Sequence, residues 1–129
     1  MGVMTRDSES GIAFKVLEAI NDRDYNQIEN LCTENVQLRM PPAQVFFGQD
    51  GLREFFQSLE RVIPDLTLTA DEIYSGDDFV VIEYEAAGHP RGEADEAMGA
   101  IVMRLADGRI GRIQLYVDTA HWERLQQAG

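Results

Sequence analysis

The chain lacks several features that would narrow its function at once. A single cysteine, Cys32, among 129 residues excludes an internal disulfide and is typical of a reducing compartment. No apolar run approaches the roughly 18 residues of a membrane-spanning helix, and the N-terminus has no apolar core of a secretory signal. These absences predict a cytoplasmic protein with no membrane partner, and the length of 129 residues predicts one domain over residues 1–129.

Positive charge is also scarce. The chain has 11 lysines and arginines against 23 aspartates and glutamates, a formal net charge of -12. A strongly negative protein repels the phosphate backbones of DNA and RNA. Nucleic acid is therefore not an expected partner.

The sequence motifs of cofactor, metal and nucleophile chemistry are missing as well. Neither a Gly-rich phosphate loop nor a nucleophile elbow occurs in the sequence. His89, His121 and Cys32 lack the spacing of metal ligands. The acidic stretch 93–96 could bind a cation, but it is more typical of a solvated hairpin. We therefore expect neither a cofactor nor a metal.

The most informative stretch is residues 97–118, in which two strand-like runs flank Asp107-Gly108. Asp-Gly between such runs predicts a β-hairpin, whose successive side chains alternate between two sheet faces. One face carries arginine, glutamine and tyrosine side chains. The other is almost wholly apolar and consists of Gly99, Ile101, Met103, Ile113, Leu115 and Val117.

Three segments before this hairpin have helical patterns. The apolar spacing predicts an amphipathic helix over 11–23, with Ser8 or Ser10 as its N-cap. A short helix should begin at Asp24 with a capping box, and a third helix should cover 50–63, with Asp50 as its N-cap. The chain between the last two passes through a predicted strand and then a loop.

The remaining segments alternate as strands do. Strands are predicted over 34–40, 66–74 and 79–88, and a last short helix should follow Asp118. Helices followed by a run of strands indicate an α+β fold with helices on one face of an antiparallel sheet.

Four local signatures stand out within this order of elements. They are Ala-Ile-Asn-Asp-Arg-Asp at 19–24, Met-Pro-Pro at 40–42 with Phe-Phe-Gly-Gln-Asp-Gly-Leu-Arg-Glu-Phe-Phe at 46–56, Gly-His-Pro-Arg-Gly-Glu at 88–93, and Asp-Gly-Arg-Ile-Gly-Arg-Ile-Gln-Leu-Tyr-Val-Asp at 107–118. With them the chain resembles the nuclear-transport-factor-2-like superfamily, above all its SnoaL-like polyketide cyclase, ketosteroid isomerase and limonene epoxide hydrolase branches.

The resemblance implies a cone-shaped α+β barrel. In it a curved antiparallel sheet wraps around a long N-terminal helix, two further helices complete the fold, and a pocket lies at the open end. Such a fold hosts unrelated functions, so it implies the architecture more strongly than the activity. It also implies a homodimer formed through the outer sheet face.

The resemblance further locates the positions at which these families keep catalytic groups. The tyrosine and the two aspartates of the isomerases match Val16, Met40 and Ile101, and the last-strand aspartate of the cyclases and hydrolases matches Leu115. All four residues are apolar here, so the pocket lacks the buried carboxylate whose raised pKa would move protons near neutrality. An apolar pocket still suits a flat or greasy molecule.

Tyr84, His89 and Asp118 are the remaining candidate catalytic residues. Tyr84 shares a face with apolar strand residues, so it is either a polar group in the pocket or a core tyrosine bonded to the backbone. His89 has the chemistry of a general base, but its Gly-His-Pro-Arg-Gly setting also suits a loop histidine. Asp118 ends the last strand near a tyrosine, or else caps the helix that follows.

Glu83 and Glu85 resemble an acid pair. Because Arg104 and Arg112 belong to the same outer face, cross-strand ion pairs are the simpler interpretation of these glutamates.

We therefore expect a SnoaL-like or ketosteroid-isomerase-like protein that binds a small hydrophobic, cyclic molecule and, if catalytic, isomerises, cyclises or hydrates it without a cofactor. The alternative is a non-catalytic ligand-binding or dimerising module with degenerate catalytic positions. The predicted ligand-binding residues are Val16, Met40, Phe55, Leu59, Tyr84, Ile101, Met103, Ile113, Leu115 and Val117.

Overall fold

The computed structural model describes residues 3–40, 44–118, 120, 121 and 124, with side chains from residue 11 onward. Its α-helices are α1 (Val3–Asp22), α2 (Tyr25–Asn30) and α3 (Gly48–Val62). Its strands are β1 (Cys32–Met40), β2 (Gln44–Phe47), β3 (Thr67–Ser75), β4 (Phe79–Gly88), β5 (Asp95–Ala106) and β6 (Arg109–Tyr116), with a short 3-10 turn at Pro90–Gly92 between β4 and β5.

The strands form a curved, unclosed sheet of six strands in the order β2-β1-β6-β5-β4-β3. The α+β fold is confirmed. The sheet departs from the expected antiparallel pattern at one place, because β1 and β6 pair in parallel. A parallel pair needs a long connection between its strands, and here α3 with four intervening strands provides it.

The helices begin at positions that only partly match the sequence prediction. Helix α1 begins at Val3, so Ser8 and Ser10 lie inside it and the predicted N-cap is wrong. The predicted start of α2 is confirmed, because the Asp24 carboxylate accepts a hydrogen bond from the Gln27 backbone N–H at 3.1 Å. Helix α3 follows Phe47 directly, which places Asp50 in its first turn and makes the predicted N-cap there wrong.

Strand β2 was not predicted. Residues Gln44–Phe47 pair antiparallel with β1, with Gln37 opposite Phe47, where the sequence indicated a loop. The chain passes from β2 into α3 at Gly48, whose φ of +70° costs little energy only for glycine. Pro41 and Pro42 of the Met-Pro-Pro signature lie outside the described residues.

The predicted hairpin is confirmed. Asp107 and Gly108 have φ values of 53° and 79°, and β5 pairs with β6 on either side of them. Ile101 lies opposite Leu115 and Met103 opposite Ile113, so these side chains share the inner face. The register shifts by one residue next to the turn, which turns Ile110 inward as well.

The core lies between the inner face of the sheet and helices α1 and α3. Helix α3 contributes Leu52, Phe55 and Phe56 to it, each at most 7% exposed. At the edge strand β3, the side chain of Asn21 donates to the Leu68 carbonyl at 3.0 Å and accepts from the Leu68 N–H at 2.8 Å. Among the described residues, no helix is both long and apolar enough to cross a membrane.

Candidate functional site

A cavity of about 90 Å³ lies between α1, α3 and the inner face of the sheet. It is at the end of the sheet where the chain passes from Gly88 of β4 to Asp95 of β5. Seven of the predicted ligand-binding residues line it, namely Met40, Phe55, Leu59, Tyr84, Ile101, Leu115 and Val117. Further apolar side chains complete its wall, among them Ile20, Ile63, Leu66 and Leu68. The alternation of the final hairpin therefore points the apolar face at this cavity.

The other three predicted ligand-binding residues, Val16, Met103 and Ile113, do not line the cavity. They are at most 4% exposed and belong to the packed core, outside the described lining of the cavity. Their position on the inner face was predicted correctly, but that face extends beyond the cavity along each strand.

Tyr84 is the polar group of the cavity interior. Its side chain is 7% exposed, and burial raises the pKa of its phenol to about 12, so the hydroxyl stays protonated and neutral near physiological pH. The hydroxyl donates to the Tyr116 carbonyl across a long 3.5 Å contact. Tyr84 thus combines the two interpretations of it, a cavity residue and a tyrosine bonded to the backbone.

Gly99 makes room for this tyrosine. It lies opposite Tyr84 on β5, and a Cβ atom at this position would fall 2.5 Å from the Tyr84 hydroxyl oxygen and would also collide with the Tyr116 carbonyl. Because glycine leaves the inner face of β5 bare, the Tyr84 hydroxyl reaches across that strand to β6.

Three charged or titratable residues, Asp95, Asp118 and His121, also line the cavity, and we call them the mouth. There the cavity meets an open depression of about 700 Å³ that is lined in part by Asp118 and His121. Nε2 of His121 lies 2.8 Å from Oδ2 of Asp95, and both side chains are about one quarter exposed.

Asp118 lies at the mouth in a capping position. Its Oδ1 accepts a hydrogen bond from the backbone N–H of His121 at 3.1 Å. This is the geometry of an N-cap, the alternative that the sequence offered for this residue. One carboxylate oxygen of Asp118 is therefore engaged within the chain.

His89 lies outside the described lining of the cavity, on the turn after β4. Its Nδ1 lies 2.7 Å from Oδ2 of Asp65, and its backbone N–H donates to Oδ1 of the same carboxylate at 2.8 Å. These hydrogen bonds hold the pKa of Asp65 below its usual value. The structure therefore does not bring His89 together with Tyr84 and Asp118 at the cavity.

Sequence reasoning missed Asp95 and His121. Asp95 lies opposite Gly88 and Gly99 lies opposite Tyr84, so both β5 residues point to the inner face. Extending the hairpin alternation back from Gly99 by four residues would have placed Asp95 in the cavity. No comparable signal exists for His121, because it follows the last strand and its position depends on how the chain folds back.

The expected ion pairs of the outer face are wrong. Glu83 accepts a hydrogen bond from the Tyr74 hydroxyl at 2.9 Å, and a hydrogen bond with the neighbouring Asp71 carboxyl raises the pKa of Glu85. Arg104 instead lies 3.9 Å from Asp78. The register explains this, since Glu83 and Glu85 lie opposite Ala100 and Met98 rather than opposite arginines.

The acidic stretch 93–96 is divided by the sheet, with Asp95 turned inward and Glu96 exposed. In the part of the chain that the structure describes, no group of three histidine, cysteine or acidic side chains is placed to hold a metal ion.

Comparison with known proteins shows what this fold is similar to. The family model of the SnoaL-like domain matches residues 14–113. No curated protein sequence matches the chain.

Among solved structures, a candidate SnoaL-like polyketide cyclase from Jannaschia sp. CCS1 superposes with a TM-score of 0.84 at 15% identity, over 95% of this chain and 94% of that one. TerC, co-crystallised with polyporic acid, has a TM-score of 0.82 at 19% identity, over 93% and 98% of the two chains. A candidate polyketide cyclase from Xanthomonas campestris pv. campestris has a TM-score of 0.78 at 18% identity, over 92% and 96%. At these identities the similarity concerns the fold.

Proposed function

The chain belongs to the SnoaL-like domain family, and from this membership we propose that it binds a small hydrophobic, cyclic molecule in the cavity. The observation that carries the proposal is the composition of the wall, which is apolar inside and polar only at Tyr84 and at the mouth. Proteins bind small organic molecules in concave, mostly apolar sites with a few polar groups that fix orientation. Because the cavity measures about 90 Å³, part of the molecule would lie in the adjoining depression of about 700 Å³. The co-crystallisation of TerC with polyporic acid supports the proposal, because it associates the same fold with a small organic molecule.

Tyr84 is the group that would orient such a molecule. Its neutral hydroxyl has only a long 3.5 Å contact with the Tyr116 carbonyl, so it is available to donate to an oxygen of the ligand. A hydrogen bond to a carbonyl oxygen stabilises the negative charge that develops there during isomerisation, cyclisation or hydration. We therefore propose Tyr84 as the electrophilic group if the protein is a cofactor-free enzyme.

A ligand screen with a matched tyrosine pair tests this proposal. Molecules that co-purify with the protein are identified by mass spectrometry, and steroids, terpenoids and aromatic polyketides are then screened by thermal shift. We expect at least one class to raise the melting temperature, because a ligand that binds only the folded state stabilises it.

Tyr84→Phe should weaken the binding of a carbonyl-bearing ligand by roughly 3- to 10-fold, the usual value of one hydrogen bond. Tyr74→Phe is the control, because its hydroxyl contacts Glu83 on the outer face. If no class stabilises the protein, or if both variants lose affinity equally, the proposal is wrong.

The non-catalytic alternative stays a proposal that rests on the sequence resemblance. That resemblance implies that the families' catalytic positions hold Val16, Met40, Ile101 and Leu115. Turnover of a bound ligand, followed by mass spectrometry, distinguishes an enzyme from a binding module, since the module would return its ligand unchanged.

We also propose a homodimer through the outer sheet face. Met98 and Tyr116 are 71% and 44% exposed on that face, and apolar side chains of this kind are commonly covered in an assembly. Sedimentation velocity on the full chain tests this, and a monomer at all concentrations would contradict it. The absence of nucleic acid and membrane partners, the absence of a cofactor and the cytoplasmic location stay predictions from the sequence.

A further inference from the structure

Asp95 fixes the ring of His121 at the mouth of the cavity. A carboxylate only accepts hydrogen bonds, so the 2.8 Å contact between its Oδ2 and Nε2 requires the proton of the neutral imidazole to be on Nε2. Nδ1 then carries a lone pair and is an acceptor. The carboxylate thus selects the tautomer of the ring as well as its orientation.

The surroundings of Nδ1 leave it available to a ligand. The structure gives it one neighbour among the described residues, Nη2 of Arg124 at 3.5 Å, which is too long for a strong hydrogen bond. Arg124 is exposed, whereas His121 and Asp95 are about one quarter exposed and line the cavity. Asp118 is a further charged group near the ring, and its Oδ1 accepts the backbone N–H of His121. Glu85 and Glu96 line the same depression as His121.

We propose that Nδ1 of His121, oriented by Asp95, accepts a hydrogen bond from a weakly acidic hydroxyl group, a phenol or an enol, on the molecule whose apolar body lies in the cavity. This inference rests on the proposed function, since it names the class of ligand that the same cavity takes. It gives the ligand two polar ends, an oxygen that meets Tyr84 and a hydroxyl that meets His121.

The negative charge around the mouth favours a neutral hydroxyl over an anionic group of the ligand. Asp95 and Asp118 both line the mouth, and the chain has a formal net charge of -12. A ligand carboxylate would be repelled by these aspartates, whereas a hydroxyl donates a proton toward Nδ1 without carrying charge into the mouth. If the proton moves fully, the electron pair stays on the ligand oxygen and Asp95 stabilises the imidazolium.

The second histidine–aspartate pair of the chain is a matched control. His89 and Asp65 lie 2.7 Å apart, but they are outside the cavity lining and more than half exposed. If the His121–Asp95 pair had only a structural role, substituting His121 should affect ligand binding as little as substituting His89.

The test compares two fluorescent probes that differ in one group, 2-naphthol and 2-methoxynaphthalene, on the full-length protein. Wild type should bind 2-naphthol roughly 3- to 10-fold more tightly than the methyl ether, the value of one hydrogen bond. His121→Phe should abolish this preference while retaining affinity for the ether, and Asp95→Asn should reduce it. His89→Gln should leave the preference unchanged, because His89 lies outside the cavity lining.

The outcomes separate the two proposals. If neither probe binds, the proposed function fails and the inference fails with it. If both probes bind equally to wild type, the cavity binds hydrophobic molecules but His121 accepts no hydrogen bond from a ligand hydroxyl. The proposed function then stands and the inference is wrong. A preference that survives in His121→Phe, or that falls equally in His89→Gln, also overturns the inference. The wild-type comparison needs no variant, so it decides the matter even if His121→Phe does not fold.

Discussion

His89 and His121 each contact one aspartate, at 2.7 and 2.8 Å, in very different settings. The first pair joins two surface turns and is more than half exposed, whereas the second lines a cavity and is about one quarter exposed. Distance and residue type do not separate them. What separates them is the sheet face, because Asp95 lies on the inner face of β5 and Asp65 belongs to no strand. Two pairs of the same residue types thus have different surroundings because of their place in the fold.

The largest effect is expected from a substitution inside the cavity, at Gly99 opposite Tyr84. Gly99→Ala should destabilise the protein by about 1–3 kcal/mol, because the new Cβ overlaps Tyr84 and the Tyr116 carbonyl. It should also weaken probe binding, since Tyr84 has to move. Urea denaturation measures the free energy of unfolding.

Gly111→Ala is the control for this change. A Cβ at Gly111 meets its nearest neighbour, Ala106, at an ordinary 3.8 Å, so the variant should be as stable as wild type. Equal destabilisation by both substitutions would show that the close approach at Gly99 is not the cause.

A smaller effect is expected from the mouth pair itself. A double-mutant cycle with Asp95→Asn and His121→Phe should give a coupling energy on the order of 1 kcal/mol, because the hydrogen bond is partly shielded from water. The corresponding cycle with Asp65→Asn and His89→Phe should give a smaller coupling, since that pair is exposed to solvent and screened. A larger coupling at the loop pair would reverse the comparison.

The smallest effect concerns the pH dependence of the loop pair. Hydrogen bonds from His89 lower the pKa of Asp65 in the folded state, so the ionised carboxylate stabilises the fold above its usual pKa of 3.8 and this contribution is lost as the pH falls through the lowered value. Asp65→Asn should therefore lower the melting temperature slightly at pH 6.

At pH 3 and below, the difference between wild type and Asp65→Asn should narrow. Thermal unfolding of both proteins between these pH values measures it. A difference that grows toward low pH would contradict the direction of the pKa shift.

Much of the fold could be predicted because it depends on local patterns. The Asp107-Gly108 turn and the alternation around it place Ile101 and Met103 on the inner face without reference to the rest of the chain. Strand β2 could not be predicted in this way. Its four residues become a strand by pairing with β1, and isolated segments of that length have no periodicity to detect.

The parts of the site that could be predicted are likewise those that depend on local patterns. The apolar wall followed from the hairpin pattern, and Tyr84 followed from the alternation of β4. The contact between His121 and Asp95 did not, because these residues are 26 positions apart in the sequence. A contact between segments so far apart depends on the path of the backbone after β6. Residue type and spacing do not predict that path.

The position of β6 has a consequence for how the molecule is made. This strand lies between β1 and β5, so it joins the hairpin of β1 and β2 to the group formed by β3, β4 and β5. Among the strands that the structure describes, β6 comes last in the chain, so the two parts of the sheet can be joined only after β6 has been synthesised. Folding therefore depends on a contact between distant segments, which slows the rate of folding. The cavity, whose wall includes Leu115 of β6, is completed only when this strand has joined the sheet.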